Sequence, residues 1–235
     1  MGRGQKGRCG LTAMQTQLSI PVVGGQVSGL LLKPDGAKGL YVFAHGAGVG
    51  MNHSSMMSNA EGLAKRGIAT LRFQFPYMEK GGGRPDPPGI AQATVRAAVA
   101  KAAELAPGLP LFAGGRSYGG RMTSQAQSIA PLPGVRGLVF LGFPLHPAGK
   151  PAIERADHLE RVAIPMLFVS GSRDALAELS LLRPLIDGIG ERATLHVIEG
   201  GDHGLRVPVS GGRTNEEAQA ESLDTMAEWM MRLGQ

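Results

Sequence analysis

Apolar residues in this 235-residue chain come in short blocks separated by polar, glycine-rich joints. The blocks at 39–44 (GLYVFA), 68–75, 109–113, 135–142, 164–171 and 194–198 are predominantly apolar. Continuous runs of that length suit parallel strands buried on both faces. Two earlier stretches, 17–23 and 27–33, meet at Gly24-Gly25 and read as an antiparallel pair that opens the fold. Helical stretches fall between the blocks, at 54–65, 90–105, 121–129, 175–189 and 216–233. Strands alternating with helices predict an α/β fold, a mostly parallel central sheet flanked by crossover helices. Residues 78–89 (MEKGGGRPDPPG) fit neither pattern, since their glycines and prolines disfavour both helix and strand. They follow a strand, so they are predicted to overhang the carboxyl edge of the sheet, where ligands bind in such folds.

The length suits one domain of this kind, able to bury a core without covalent staples. The single cysteine, Cys9, excludes an internal disulfide framework and a multi-cysteine metal site. The net charge of +5 is unevenly spread. Arg3, Lys6 and Arg8 supply +3 within residues 1–13, which hold no acid. The remainder carries 21 basic and 19 acidic residues, with no basic run of the kind nucleic-acid binding requires. Residues 1–13 therefore read as a flexible basic leader, with Met14 as an alternative start, and 14–235 as a single domain. The leader lacks the apolar core of a signal peptide, and no stretch approaches the ~20 apolar residues of a membrane span. The expectation is a cytoplasmic protein with neither a nucleic acid nor a membrane as partner. Oligomeric state is not encoded legibly.

The chemistry centres on Gly115-Arg116-Ser117-Tyr118-Gly119. This G-x-S-x-G pentapeptide follows an apolar block and precedes a helical one, the setting of a nucleophile elbow. A serine hydroxyl needs a base to take its proton and a third group to orient that base. Asp174 and His203 follow Ser117 in the order such elbows use, each just beyond an apolar block. All three are thus predicted at strand ends on one edge of the sheet. Asp174 also suits a helix N-cap before Ala175. Asp202 and Glu178 are the rival acids. Among the other histidines, His45 is read as a loop brace, His146 as a strand-end residue able to line the site, His158 as solvated and His196 as structural. His45 and His53 do not have metal-ligand spacing, so no metal is expected.

Acyl transfer also needs amides aimed at the carbonyl oxygen as it becomes negative. The predicted donors are the N–H of Tyr118, after the nucleophile, and that of Ala47 in the glycine-rich loop 45–50, with Gly48 as its alternative. That loop lacks the Lys-Ser/Thr ending of a phosphate-binding loop and the spacing of a dinucleotide fingerprint.

Five motifs, HGAG at 45–48, RFQFPY at 72–77, GGRSYGGRM at 114–122, SGSRD at 170–174 and GGDHGL at 200–205, together resemble the α/β-hydrolases of the KANL/Tex type, relatives of dienelactone-hydrolase-like proteins. The resemblance runs over residues 17–233 in the right order. It implies the α/β-hydrolase fold and a triad of Ser117, Asp174 and His203. It implies no particular substrate. Dienelactone hydrolases proper use a cysteine where this chain has Ser117, which points away from their substrate class. Some eukaryotic relatives are subunits of chromatin complexes, so a non-catalytic interaction module is the alternative function. Arg116 and Arg121 match the group's pattern and are read as anchoring the elbow through ion pairs, the alternative being contact with an anionic substrate.

Only residues 147–163 separate the strand after the elbow helix from the next, too few for a lid domain. The expectation is an open site cleaving a small ester or thioester through an acyl-enzyme, without a cofactor. Met51, Met56, Met57 and Met78 are candidates for an apolar wall or for core filling.

Overall fold

The computed structural model describes residues 13–235. Residues 1–12 of the predicted leader lie outside the described residues, and Ala13, its last member, already belongs to a strand. Strands β1 (Ala13–Val22) and β2 (Gly25–Pro34) form an antiparallel hairpin. Val22 pairs with Gly25, so the turn is Val23-Gly24 rather than the predicted Gly24-Gly25. Gly24 holds φ at 82°, a value open to glycine at little cost. Strands β3 (Gly39–Ala44), β4 (Ile68–Phe73), β5 (Leu111–Arg116), β6 (Val135–Leu141), β7 (Met166–Gly171) and β8 (Ala193–Ile198) are mutually parallel. The sheet order is β1-β2-β4-β3-β5-β6-β7-β8, with β2 antiparallel to β4.

Two layers of helix bury the sheet. Successive side chains on a strand point to opposite faces. Leu40, Val42 and Ala44 of β3 enter one core, while Tyr41 and Phe43 enter the other. Strand β7 divides in the same way, Met166 and Phe168 from Leu167 and Val169. The first core is closed by α3 (Pro88–Leu105), α4 (Tyr118–Ile129) and α5 (Leu179–Ile189). The second is closed by α1 (Ser54–Ala64) and α6 (Asn215–Gly234). Apolar side chains on both faces are why the strands read as unbroken apolar blocks.

The structure corrects several boundaries. Strand β5 continues through Gly114, Gly115 and Arg116, so the glycines before Ser117 are strand rather than turn. Helix α4 begins at Tyr118, immediately after the serine. Residues 175–178, predicted helical, are not; α5 starts only at Leu179 with Glu178 as its cap. The irregular segment is shortened at both ends by α2 (Pro76–Glu79) and by α3, whose first residue is Pro88. Proline suits a helix start because the first N–H groups have no intrahelical acceptor. Residues 147–163 carry only a 3-10 helix, Glu154–Arg161, and no lid.

Trp229 of α6 lies against Gly137 of β6, where any side chain would collide with its ring, and near Phe112 of β5. Trp229→Ala is expected to lower stability by about 3–5 kcal/mol, measured as the loss in urea unfolding followed by circular dichroism.

Candidate active site

The parallel strands all end on one edge, and the loops leaving β3, β5, β7 and β8 converge there. Ser117 stands at φ 48° and ψ −114°, a region a non-glycine residue enters only under constraint. The constraint is close backbone contact. A Cβ on Gly115 would fall 2.3 Å from the Ala44 carbonyl oxygen, and one on Gly119 would fall 2.5 Å from that of His45. Ser117 N–H bonds the Leu141 carbonyl at 3.0 Å, and Ser117 carbonyl accepts Arg121 N–H at 3.1 Å. The serine is thus clamped between the end of β6 and the first turn of α4.

His203 Nε2 lies 2.8 Å from Ser117 Oγ. Its Nδ1 lies 3.0 and 2.9 Å from the two Asp174 carboxylate oxygens. Asp174 is almost fully buried, and its Oδ1 also accepts Leu176 N–H at 2.8 Å. That bond closes a local turn, not the helix cap predicted for it, because α5 begins later. The His203 loop rests on two glycines. A Cβ on Gly171 would lie 2.2 Å from the Gly201 carbonyl oxygen, and one on Gly142 would lie 2.7 Å from that of His203. Asp202 is occupied within its own loop, its Oδ1 accepting Gly204 N–H and Arg206 N–H at 2.7 and 2.9 Å. Glu178 meets His146 instead.

The loop carrying Ala47 is held by the strand beside it. His45 Nδ1 lies 2.8 Å from the Gly46 carbonyl, and His45 Nε2 accepts Phe75 N–H at 3.1 Å. Both bonds are satisfied by one neutral tautomer, and burial pulls the His45 pKa down to about 4. Gln74 Oε1 accepts Met51 N–H at 2.8 Å, and Tyr77 Oη accepts Gly48 N–H at 3.3 Å. Arg72, buried in β4, donates to the Met51 carbonyl at 2.9 Å. Residues of the RFQFPY segment therefore brace the HGAG segment. Below them His45, Phe75 and Tyr118 pack edge to face. Ala47 and Tyr118 line a cavity of about 360 Å³ together with Ser117. Neither amide has a hydrogen-bond acceptor among the described residues.

Several neighbours of the site stand otherwise than the sequence predicts. His158 is not solvated: it is buried, shares a 2.7 Å hydrogen bond with Ser124 Oγ, and has its pKa lowered to about 4, first by burial and then by Arg161 and Arg121. Its 3-10 helix looked like a charged surface patch, and only packing on α4 hides it. His146 lies beyond the end of β6, buried, with Nδ1 2.9 Å from the Pro147 carbonyl, and lines neither cavity of the site. None of Met51, Met56, Met57 and Met78 lines them, and Met56 fills the core, one of the two roles the sequence allowed it. Neither Arg116 nor Arg121 forms an ion pair among the described residues. Arg116 faces a second cavity of about 260 Å³ on the His203 side, shared with Arg206 and Gln219. Arg121 faces the Ser117 cavity with Arg84 and Arg155. Those last two carried no sequence signal, since isolated arginines in loops look the same wherever they point. No three His, Cys, Asp or Glu side chains among the described residues cluster as a metal site.

A mostly parallel sheet with a strained serine between β5 and α4 defines the α/β-hydrolase class. Residues 37–231 match the family described as Alpha/beta hydrolase domain, and the chain belongs to that family. It is a hydrolase, and its described residues hold no lid domain. Solved structures share the fold at low identity. A dienelactone hydrolase from Anabaena variabilis is 21% identical, with TM-score 0.75 over 94% of this chain and 98% of its own. An esterase from Pyrococcus furiosus is 17% identical, with TM-score 0.73 over 94% and 93%. An α/β serine hydrolase without lid from Xanthomonas campestris is 17% identical, with TM-score 0.70 over 92% and 94%.

Gly119→Ala is expected to cost about 1–3 kcal/mol in urea unfolding, because its Cβ meets backbone that cannot withdraw. His45 and His158 are neutral when folded down to about pH 4, whereas an unfolded histidine takes a proton near 6.5. Between those values the unfolded chain binds more protons, so stability falls as pH falls. Each histidine contributes up to about 1.4 kcal/mol per pH unit in that window. Urea unfolding at pH 7 and pH 5 measures the slope, and His158→Asn is expected to reduce it.

Proposed function

We propose that the protein is a serine esterase or thioesterase acting on a small acyl substrate through an acyl-enzyme. The observation that carries this reading is the single imidazole of His203 joining Ser117 Oγ to the buried Asp174 carboxylate. His203 Nε2 takes the hydroxyl proton as Ser117 Oγ bonds the substrate carbonyl carbon. Asp174 keeps the proton-bearing Nδ1 toward itself and stabilises the imidazolium. The carbonyl oxygen, now negative, accepts from the Tyr118 and Ala47 amides. His203 returns its proton to the departing alcohol or thiol as the carbon–oxygen or carbon–sulfur bond breaks. Water then gives a proton to His203 and attacks the acyl carbon. Collapse of that second intermediate frees the acid and restores the Ser117 hydroxyl.

The strained serine supports the same reading, since such strain persists where the surrounding structure over-determines it and clusters at active sites. The lidless edge of the sheet suits small or exposed substrates. The Pyrococcus furiosus structure is that of an esterase, which is consistent with ester chemistry on this fold. A cytoplasmic location belongs to the proposal too. It rests on the single cysteine and on the described residues holding no helix long and apolar enough to cross a membrane.

The test is labelling with a fluorophosphonate, read by mass spectrometry. An adduct is expected on Ser117 in the wild type and on no residue in Ser117→Ala. Asp174→Asn is expected to reduce kcat on 4-nitrophenyl butyrate by about 10⁴-fold. Well-folded wild-type protein that takes no label would overturn the proposed serine mechanism.

A further inference from the structure

Three arginines line the cavity at Ser117. Arg121 reaches it from the first turn of α4, Arg155 from the 3-10 helix and Arg84 from the loop before α3. None of the three forms a salt bridge among the described residues. Arg121 is half-buried, and its Nε is wholly buried without an acceptor. A buried guanidinium nitrogen gives up its hydration and needs an acceptor in return. Burial first, and the charge of Arg155 second, lower the Arg121 pKa, and both residues line the cavity. His158 behind them is neutral and adds no charge.

One carboxylate faces the same cavity, that of Asp86. It is already engaged, its Oδ2 accepting Tyr77 N–H at 2.9 Å, and its backbone carbonyl accepts Tyr118 Oη–H at 3.2 Å. The remaining walls include Pro85, Pro144 and Leu176, which suit a short aliphatic segment. Arg121 stands in the first turn of α4, which Ser117 precedes, and both residues line the cavity.

We propose that this cavity selects esters or thioesters that carry a carboxylate, held by Arg121 and Arg155 while the scissile carbonyl lies at Ser117. The planar guanidinium fork matches a carboxylate through paired, charge-assisted hydrogen bonds, and the bound anion relieves the repulsion between the two arginines. This deepens the serine-hydrolase reading for substrate choice, while the anion pocket itself stands on the arginine geometry.

The kinetic test compares mono-4-nitrophenyl glutarate, anionic, with 4-nitrophenyl butyrate, neutral. The ratio of their kcat/KM values is expected to exceed about tenfold in the wild type, as charge-assisted bonds imply. Arg121→Gln and Arg155→Gln are each expected to lower that ratio by at least about tenfold. Arg155 lies outside α4 and the sheet, so its variant tests the idea if Arg121→Gln misfolds. A wild-type ratio of one or less, or a ratio unmoved by Arg155→Gln, overturns the proposal. Binding is measured separately by calorimetry of monomethyl glutarate on Ser117→Ala protein, with methyl butyrate as the neutral control. Binding of the anion alone, lost when Arg155→Gln is added, supports the pocket even if neither ester is turned over and Ser117 takes no label. No binding of monomethyl glutarate at millimolar concentration counts against the pocket even if the label does attach.

Discussion

Everything at the site depends on how closely the backbone around Ser117 approaches its neighbours. Gly115 and Gly119 leave no space between the elbow and the carbonyl groups of Ala44 and His45. Gly114 has the same relation to β6, where a Cβ would lie 1.9 Å from the Val139 carbonyl oxygen. Contacts of that kind cannot relax, because the opposing atoms belong to central strands of the sheet or, for His45, to the residue directly following β3. They hold Ser117 at its positive φ and start α4 at the very next residue. Local strain at the serine is thereby maintained by the most rigid part of the molecule.

The same device recurs around His203. Gly142 and Gly171 admit the backbone of the histidine loop against the ends of β6 and β7, and Asp202 closes that loop from within. The histidines consequently divide by their partners rather than by their burial alone. His45 and His158 are buried against neutral hydrogen-bonding groups and stay uncharged, whereas His203 faces a buried carboxylate on one side and a hydroxyl on the other. The arginines follow a similar division. Arg66 and Arg213 pair with acids at the surface, while those around the Ser117 cavity do not.

Much of the fold was legible because both faces of the parallel strands are covered, which makes each a continuous apolar block. Element ends were less so. The glycines at 114–115 look like turn residues, yet they extend β5, since close packing against β3 and β6 and not flexibility is what requires glycine there. The stretch after Asp174 has helical composition but is diverted by the hydrogen bond from Leu176 N–H to the Asp174 carboxylate. Of the residues expected at the site, Ser117, Asp174 and His203 meet within hydrogen-bond distance, and Ala47 and Tyr118 share a cavity with the serine.

By itself the sequence determined the strand and helix alternation, the glycine-flanked serine and the order of acid and histidine after it. These are properties of neighbouring residues and of chain order, which local sterics and burial patterns record directly. Only the tertiary structure decided which charges face one another. His158 became buried when its short helix packed on α4, and Arg84, Arg121 and Arg155, distant in sequence, came to line one cavity that holds a single carboxylate, that of Asp86. The reason is physical: an ionisable side chain takes its chemistry from the dielectric and the partners around it, and those are set by elements far away along the chain.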